Sequence, residues 1–486
     1  MVGGRKVLSL ESRRRTGALD PGWPKLSSRS GVALTRQRQL WFHPGAVFVS
    51  SFLPSYHHQA FNYRPGHFFP SINYIQVQPT IITLHFNITN INNTIHTTSP
   101  PSPTRSTVTQ HQPAMALDLP PKMRAWTLTS AGLTLSPSHP LPGSTPSTAP
   151  SATTQSQPTI TGNNLLLKIT HAALNPVDLH ILRLFPHWLP FRRNPTPGFD
   201  FCGRVIGAGP DVDANEFTVG DVVCGALGAG DVFWGKGSLA EYLLVSSSLV
   251  AKRPKTWGGL NGRGEVSGEE AVGLFGIAGQ TAVLMAQTAG VSADADWKGK
   301  KCLVNGASGG VGSILTQILR GKGAEVWGTT GSAEGEELVT QCGGKVVNYK
   351  DHHPVTAHLA ELFGEDKLDF IFDCAGSQEM FSQSPAYLKK EGKFISIAGG
   401  PSQGVVPYVK NKLRPVWLGR TPREFELLLL IPGKKTVREV GRLMEEGIIE
   451  RGLVDGGVWE MEELVEAYER LGSGRAKGKV VIRVGE

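Results

Sequence analysis

From Lys301 onward, short runs of Val, Ile, Leu and Phe alternate with helix-length segments, and nothing else in the chain restricts its fold as tightly. KCLVN, AEVWGTT, KVVNY, LDFIFD and GKFISIAGG are nearly continuous apolar runs. Between them lie helical patterns around 311–322, 334–341 and 355–363. A strand apolar along its whole length must be covered on both faces. Strands of that kind separated by crossover helices predict a doubly wound parallel α/β sheet. Upstream, MRAWTLT (123–129) and the run from NLLLKITHAAL (164–174) to LAEYLLVSSSLVAKRP read differently, as short strands with Gly and Pro at close intervals. These predict a compact β-rich unit. Between the two lies EEAVGLFGIAGQTAVLMAQTAGV, a small-residue helical segment suited to tight packing.

The first strand of the alternating region runs into VNGASGGVGS. A glycine cluster alone is more often a turn than a site. Here Ser308, Gly309, Gly310, Val311 and Gly312 follow a strand, open a helix and precede a second strand about 20 residues on. A phosphate at a helix N-terminus gains backbone N–H donors and the positive end of the helix dipole. Side chains in the loop would block that approach, so the context favours a dinucleotide pyrophosphate loop. Ala307 stands at the first position of the usual G-x-G-x-x-G.

The second strand addresses which dinucleotide. Sites for NADH carry Asp or Glu at its end, accepting from the ribose hydroxyls. This strand ends Val326-Trp327-Gly328-Thr329-Thr330-Gly331-Ser332, with no acid before Glu334. Thr330 and Ser332 offer hydroxyl donors to a 2′-phosphate, with Lys345 or Tyr349 nearby, and NADPH is favoured over NADH. The competing reading of these hydroxyls is ordinary capping. Ligands of open parallel sheets bind outside the carboxyl ends of the strands, which adds Gly376 and Ser377 after LDFIFDCA, and Ala398 and Gly399 after the fifth strand.

The net charge of +8 raises the question of a polyanionic partner. Residues 1–114 hold eleven Lys/Arg against Glu11 and Asp20, so the rest of the chain is close to neutral. The folded part therefore offers no charge excess for nucleic acid. The first 117 residues read as a disordered or targeting leader: Arg- and Ser-rich, then a drift of Ile, Asn, Thr and Pro without period. Met115 is the alternative start. The expected location is cytoplasmic, or mitochondrial if the leader is genuine. No apolar run approaches the roughly 18 residues of a membrane span. The five cysteines lie at no metal-ligand spacing and read as reduced thiols.

GKKCLVNGASGGVGSILTQILR, with Gln317 and Arg320, resembles the zinc-independent branch of the medium-chain dehydrogenase/reductases, the quinone oxidoreductases and enoyl reductases. ALNPVDLHIL (173–182), PGFDFCGRV (197–205), FTVGDVVCG (217–225), GSLAEYLLV (237–245) and GRAKGKVVIRV (474–484) extend the resemblance over about 118–486. It implies a GroES-like catalytic domain over 118–257, interrupted by a Pro/Ser/Thr-rich insertion at 136–160. It implies a Rossmann cofactor domain over 258–412 and a C-terminal segment, 413–486, returning to the first domain.

It also implies chemistry. Zinc-dependent members carry Cys where Asn175 stands and a His-Glu pair where Phe199-Asp200 stands, so no metal is expected. Hydride would pass from NADPH to a conjugated enone, enal or quinone. By the same resemblance Asn175 lies near the nicotinamide ribose with Asp178 supporting its loop, and Thr281 faces the nicotinamide. For each, a purely structural role stays open. The family often has a Tyr shortly after the NPxD turn. Here Phe185, His187 and Trp188 stand instead, and the proton donor is left unassigned. Two alternatives remain: a trans-acting enoyl reductase of a polyketide or fatty-acid pathway, with Arg183, Arg192 and Arg193 at the pocket mouth, and a cofactor-binding interaction protein without catalysis. A homodimer is among the expected states.

Overall fold

The computed structural model describes residues 119–144, 158–184, 194–259, 262–397 and 409–485. The leader, Phe185, His187, Trp188, Arg192, Arg193, Ala398 and Gly399 fall outside them.

β1 (Lys122–Thr129) and β2 (Gly132–Pro140) form a hairpin. Its second strand includes residues 136–140, so the Pro/Ser/Thr-rich stretch begins inside a strand and not in a loop. The β-rich unit follows with β3 (Asn164–Ala173), helix α1 (Pro176–Leu184), β4 (Asp200–Ala208), β5 (Val222–Ala226), the short helix α2 (Ala229–Phe233), β6 (Tyr242–Ser246) and β7 (Val250–Lys252). A short ribbon of β8 (Thr256–Trp257) and β9 (Arg263–Glu265) leads out of it.

The cofactor sheet consists of β10 (Lys301–Asn305), β11 (Glu325–Thr330), β12 (Lys345–Asn348), β13 (Leu368–Asp373), β14 (Leu388–Ser396) and β15 (Glu424–Leu427). Its order is β12-β11-β10-β13-β14-β15 and every pairing is parallel. In chain order that is 3-2-1-4-5-6, the doubly wound dinucleotide arrangement, which reverses direction between β10 and β13. β15 comes from the stretch that the sequence assigns to the returning C-terminal segment. The return itself begins with β16 (Val454–Glu460) and β17 (Lys479–Arg483), which join the β-rich unit in the order β16-β17-β3-β4-β5-β7.

Both faces of the cofactor sheet are covered, as its apolar strands require. Helices α4 (Ile277–Thr288), α5 (Gly310–Gly321) and α6 (Ala333–Gln341) pack Val283, Leu315 and Val339 into one core with Val304 and Val326. On the opposite face α7 (Val355–Phe363) and α8 (Gln378–Ser382) set Leu359, Phe363, Met380 and Phe381 against Leu303 and Ile371. The first of these cores also takes in Ala173, Cys202 and Val481, so it is continuous with the β-rich unit.

The small-residue helical segment is two helices and not one. α3 (Gly268–Phe275) and α4 meet at Gly276 with a bend of 44°. The reason is tertiary: the Asp200 carboxylate lies where a Cβ on Gly276 would be, and its Oδ1 accepts from the free Ile277 N–H at 2.7 Å. No single helix among the described residues is long and apolar enough to cross a membrane.

Candidate functional site

The glycine loop lies at the carboxyl end of β10 and opens α5, with Gly309 as the N-cap. Its glycines differ in what they permit. A Cβ on Gly312 would run into the backbone of Gly306 and Ala307, so this glycine lets α5 close onto the strand. At Gly309 a Cβ would meet only the Gly306 carbonyl, at 3.3 Å. Packing therefore constrains this glycine much less than Gly312, and the lack of a side chain leaves the loop backbone open to close approach by a pyrophosphate. Val311 is half-buried on the first turn of α5. This is a cradle that fits a dinucleotide pyrophosphate.

Across the switch point, polar side chains tie the strand ends together. Asp373 at the end of β13 accepts from Asn305 Nδ2 at 2.8 Å, and from the backbone N–H of Gly376 (2.8 Å) and Ser377 (2.9 Å). Thr329 donates to Asn305 Oδ1 at 2.6 Å and accepts from Gly306 N–H. Gly376 has a φ of +86°, which glycine adopts without strain. Asn305, Thr329 and Asp373 were not legible as site residues. The sequence signal is a polar residue at or next to the carboxyl end of each of three largely apolar strands.

At the end of β11, Thr330 Oγ1 lies 3.2 Å from Ser308 Oγ, and Ser332 caps α6 by accepting from Gly335 N–H. The Tyr349 ring packs over Gly331, and its N–H donates to Thr330 O at 2.9 Å. Thr330, Ser332, Tyr349 and Ser308 are thus brought together. Lys345 is not: it begins β12 beside Trp327, pairs with Glu325 and covers the Trp327 ring, at the far end of the strand.

The β-rich unit meets the loop through a buried ion pair. Lys479 donates to Asp200 Oδ2 (3.0 Å), Asn175 Oδ1 (2.6 Å) and Leu174 O (3.0 Å). Asn175 in turn donates from Nδ2 to Asp200 at 2.9 Å. The Lys479 stem lies against Gly310 and Gly273, where no side chain would fit. One carboxylate thereby holds the Asn175 amide, the start of the helix that buries Thr281, and the lysine that presses on the phosphate loop. Alongside, the C-terminal chain pairs with the loop itself, Gly478 N–H donating to Ser308 O at 3.0 Å. Gln317, fully buried on α5, accepts from Glu450 and Arg451 N–H and so ties down the chain leading into β16.

Asp178 accepts from Asn175 N–H at 2.6 Å, and its other oxygen is buried without a partner. Burial pushes its carboxyl up to about 8, the Asn175 hydrogen bond opposes this and the Asp200 charge adds to it. The folded protein then holds a proton at pH 7 that the unfolded chain has lost. Stability from this group is complete below the ordinary carboxylate range and is lost as pH rises through about 8. An Asp178→Asn variant should therefore gain on the wild type as pH rises from 5 to 8, by up to about 1.4 kcal/mol per pH unit. Urea unfolding at three pH values measures this, and parallel pH profiles would show that the native carboxyl is ionised.

Around Asn175 and Asp200 the described residues offer a lysine and a phenyl ring, not a zinc ligand set. Among the described residues no three His, Cys, Asp or Glu side chains form a candidate ligand group. The Lys479 ammonium takes the free oxygens of Asn175 and Asp200. Phe199 beside them is buried and cannot ligate. Cys202 faces Cys224 across β4 and β5, both as free buried thiols, and burial pushes the Cys224 thiol up. A separate cleft of about 800 Å³, lined by Lys122, Arg124, Tyr242 and Glu462 among others, shares no residue with this set.

Residues 161–255 match the alcohol dehydrogenase GroES-like domain, and residues 310–423 match the zinc-binding dehydrogenase family. The chain is 30% identical over 398 residues to the trans-enoyl reductase poxH of Penicillium oxalicum, covering 75% of this chain and 98% of that protein. It is 29% identical over 327 residues to a chloroplast envelope quinone oxidoreductase homolog of Arabidopsis thaliana, covering 67% and 91%. The quinone oxidoreductase of Coxiella burnetii has the same fold, with a TM-score of 0.56 at 22% identity over 75% of this chain and 99% of that one. With its cofactor sheet, phosphate loop and β-rich unit in the shared order, the chain belongs to the medium-chain dehydrogenase/reductases and is an oxidoreductase of their quinone oxidoreductase- and enoyl reductase-like group.

Proposed function

We propose that the protein is an NADPH-dependent reductase that delivers hydride to a conjugated carbonyl, an enone, enal or quinone, without zinc. The observation that supports this reading is the Lys479–Asp200 pair at Asn175, an ammonium held between the two residues whose counterparts, by the family resemblance, ligate zinc in metal-dependent members. A site without a Lewis acid is poorly suited to drawing hydride from an alcohol. It suits a substrate whose own carbonyl already makes the β-carbon electrophilic.

A bound reduced nicotinamide would supply the hydride. The chain's part is to hold and orient: Gly309 N–H is spent on the Gly306 carbonyl within the turn, the first residues of α5, Gly310 and Val311, present backbone N–H groups to the pyrophosphate, and Asn175, fixed by Lys479 and Asp200, stands at the ribose. As the substrate's β-carbon takes the hydride, negative charge moves to its carbonyl oxygen, where hydrogen-bond donors act, and a proton then completes the α-carbon.

The test is NADPH oxidation against a panel of enones, enals and quinones, with and without a chelator. The expected result is turnover with at least one conjugated acceptor, unaffected by chelation. Chelator-sensitive turnover would overturn the metal-free reading. Tight NADPH binding with no oxidation would favour a non-catalytic, cofactor-binding role. The match to a trans-enoyl reductase over nearly its whole length supports a second reading, in which the enoyl group arrives on a carrier protein. Turnover of a carrier-bound enoyl thioester, with free enones inert, would establish it.

A further inference from the structure

We propose that Lys477 binds the 2′-phosphate of NADPH and thereby sets the preference for NADPH over NADH. This rests on reading the glycine loop as a dinucleotide site and goes one step further, to the residue that discriminates between the two cofactors.

The end of β11 is a poor phosphate site by itself. It carries hydroxyls but no cation, and the first turn of α6 that follows adds Glu334 and Glu336. Glu336 is engaged with Asn348, at 2.6 Å, but both acids remain a negative field beside any phosphate bound there. Lys345, the next cation along the chain, begins β12 at the end away from these hydroxyls. A dianionic 2′-phosphate thus needs a positive charge from elsewhere in the fold.

Lys477 supplies one. Its Nζ lies 3.5 Å from Ser308 Oγ, which lies 3.2 Å from Thr330 Oγ1, so a cation and two hydroxyls line up from the phosphate loop to the end of β11. Its backbone is held on both sides. Lys477 N–H donates to Asp455 Oδ1 at 2.7 Å, and the next residue, Gly478, donates to Ser308 O. Asp455 is itself gripped by Arg470 at 2.6 and 2.7 Å. That pairing spends the Asp455 charge on Arg470, and among the described residues no carboxylate lies within ion-pair distance of Lys477 Nζ. Lys477 is half-buried, and among the described residues its ammonium makes one long contact, to a hydroxyl. A charge-assisted bond to phosphate is stronger than that contact, and NADH, whose 2′ position is a neutral hydroxyl, cannot make it.

The experiment is fluorescence titration of wild type, Lys477→Met and Lys477→Arg with NADPH and NADH. The expected result is wild-type binding of NADPH at least tenfold tighter than NADH, a loss of most of that factor in Lys477→Met with NADH affinity within twofold of wild type, and substantial recovery in Lys477→Arg. Unchanged NADH binding also reports that the variant is folded. Undiminished NADPH affinity in Lys477→Met overturns the assignment. So does equal weakening of both cofactors, provided that 2′,5′-ADP and 5′-AMP are weakened equally as competitors too, which would place the lysine at the pyrophosphate or in a structural role. Wild type that binds neither cofactor overturns the dinucleotide reading along with it.

Discussion

A Gly309→Val variant is expected to fold as the wild type does and to lose NADPH and NADH together, by at least about 100-fold in affinity. Gly309 has φ −85° and ψ 175°, a conformation that any residue adopts. Its added Cβ would meet only the Gly306 carbonyl at 3.3 Å, so the cost to folding is that of a poor N-cap, about 1 kcal/mol. The isopropyl group would occupy the space through which a pyrophosphate reaches the N–H groups of the first turn of α5. Two charge-assisted bonds lost are worth about 3–6 kcal/mol. Gly312→Val is the contrast, because its side chain would meet the backbone of Gly306 and Ala307 and should damage folding itself. Cofactor titration beside thermal unfolding of the two variants separates the cases. Wild-type affinity in Gly309→Val would mean that the loop is only a turn.

The second large effect is expected at the ion pair between β4 and β17. Asp200→Ala should cost about 3–5 kcal/mol, because it strands the ammonium of Lys479 in a site where that side chain is 7% exposed. Asp200 also caps α4 through Ile277 and holds the Asn175 amide, so the loss should extend to cofactor binding. Removing both charges, with Asp200→Asn and Lys479→Met together, should cost less than the sum of the two single changes. The Met side chain keeps the packing on Gly273 and Gly310 without a charge to satisfy. Urea unfolding of the two singles and the double gives the coupling. Singles below about 1 kcal/mol that simply add would show that the pair is dispensable.

These two sites differ in how far the sequence exposes them. The glycine loop is a local object: strand, tight turn and helix lie within about 20 residues, and the apolar runs on either side announce the sheet that presents it. Thr330, Ser332 and Tyr349 are legible for the same reason, since each stands at the end of a recognisable strand. Lys345 was misplaced by that logic, because closeness in sequence to a strand does not say which end of it a residue occupies. β12 begins at Lys345 and its ligand end lies at Asn348.

What the sequence by itself determined is therefore the parallel sheet, the glycine turn between its first strand and helix, and the acid-free second strand, all carried by short-range patterns of apolar and small residues. Only the tertiary structure decided that Gly276 splits a helix, that residues 424–427 complete the cofactor sheet, and that Lys477 and Lys479 reach the loop and Asn175. The physical reason is common to all three. Each depends on a buried charge or a strand edge meeting a partner far along the chain, as Lys479 meets Asp200, and such pairing is fixed by packing and desolvation after the elements assemble.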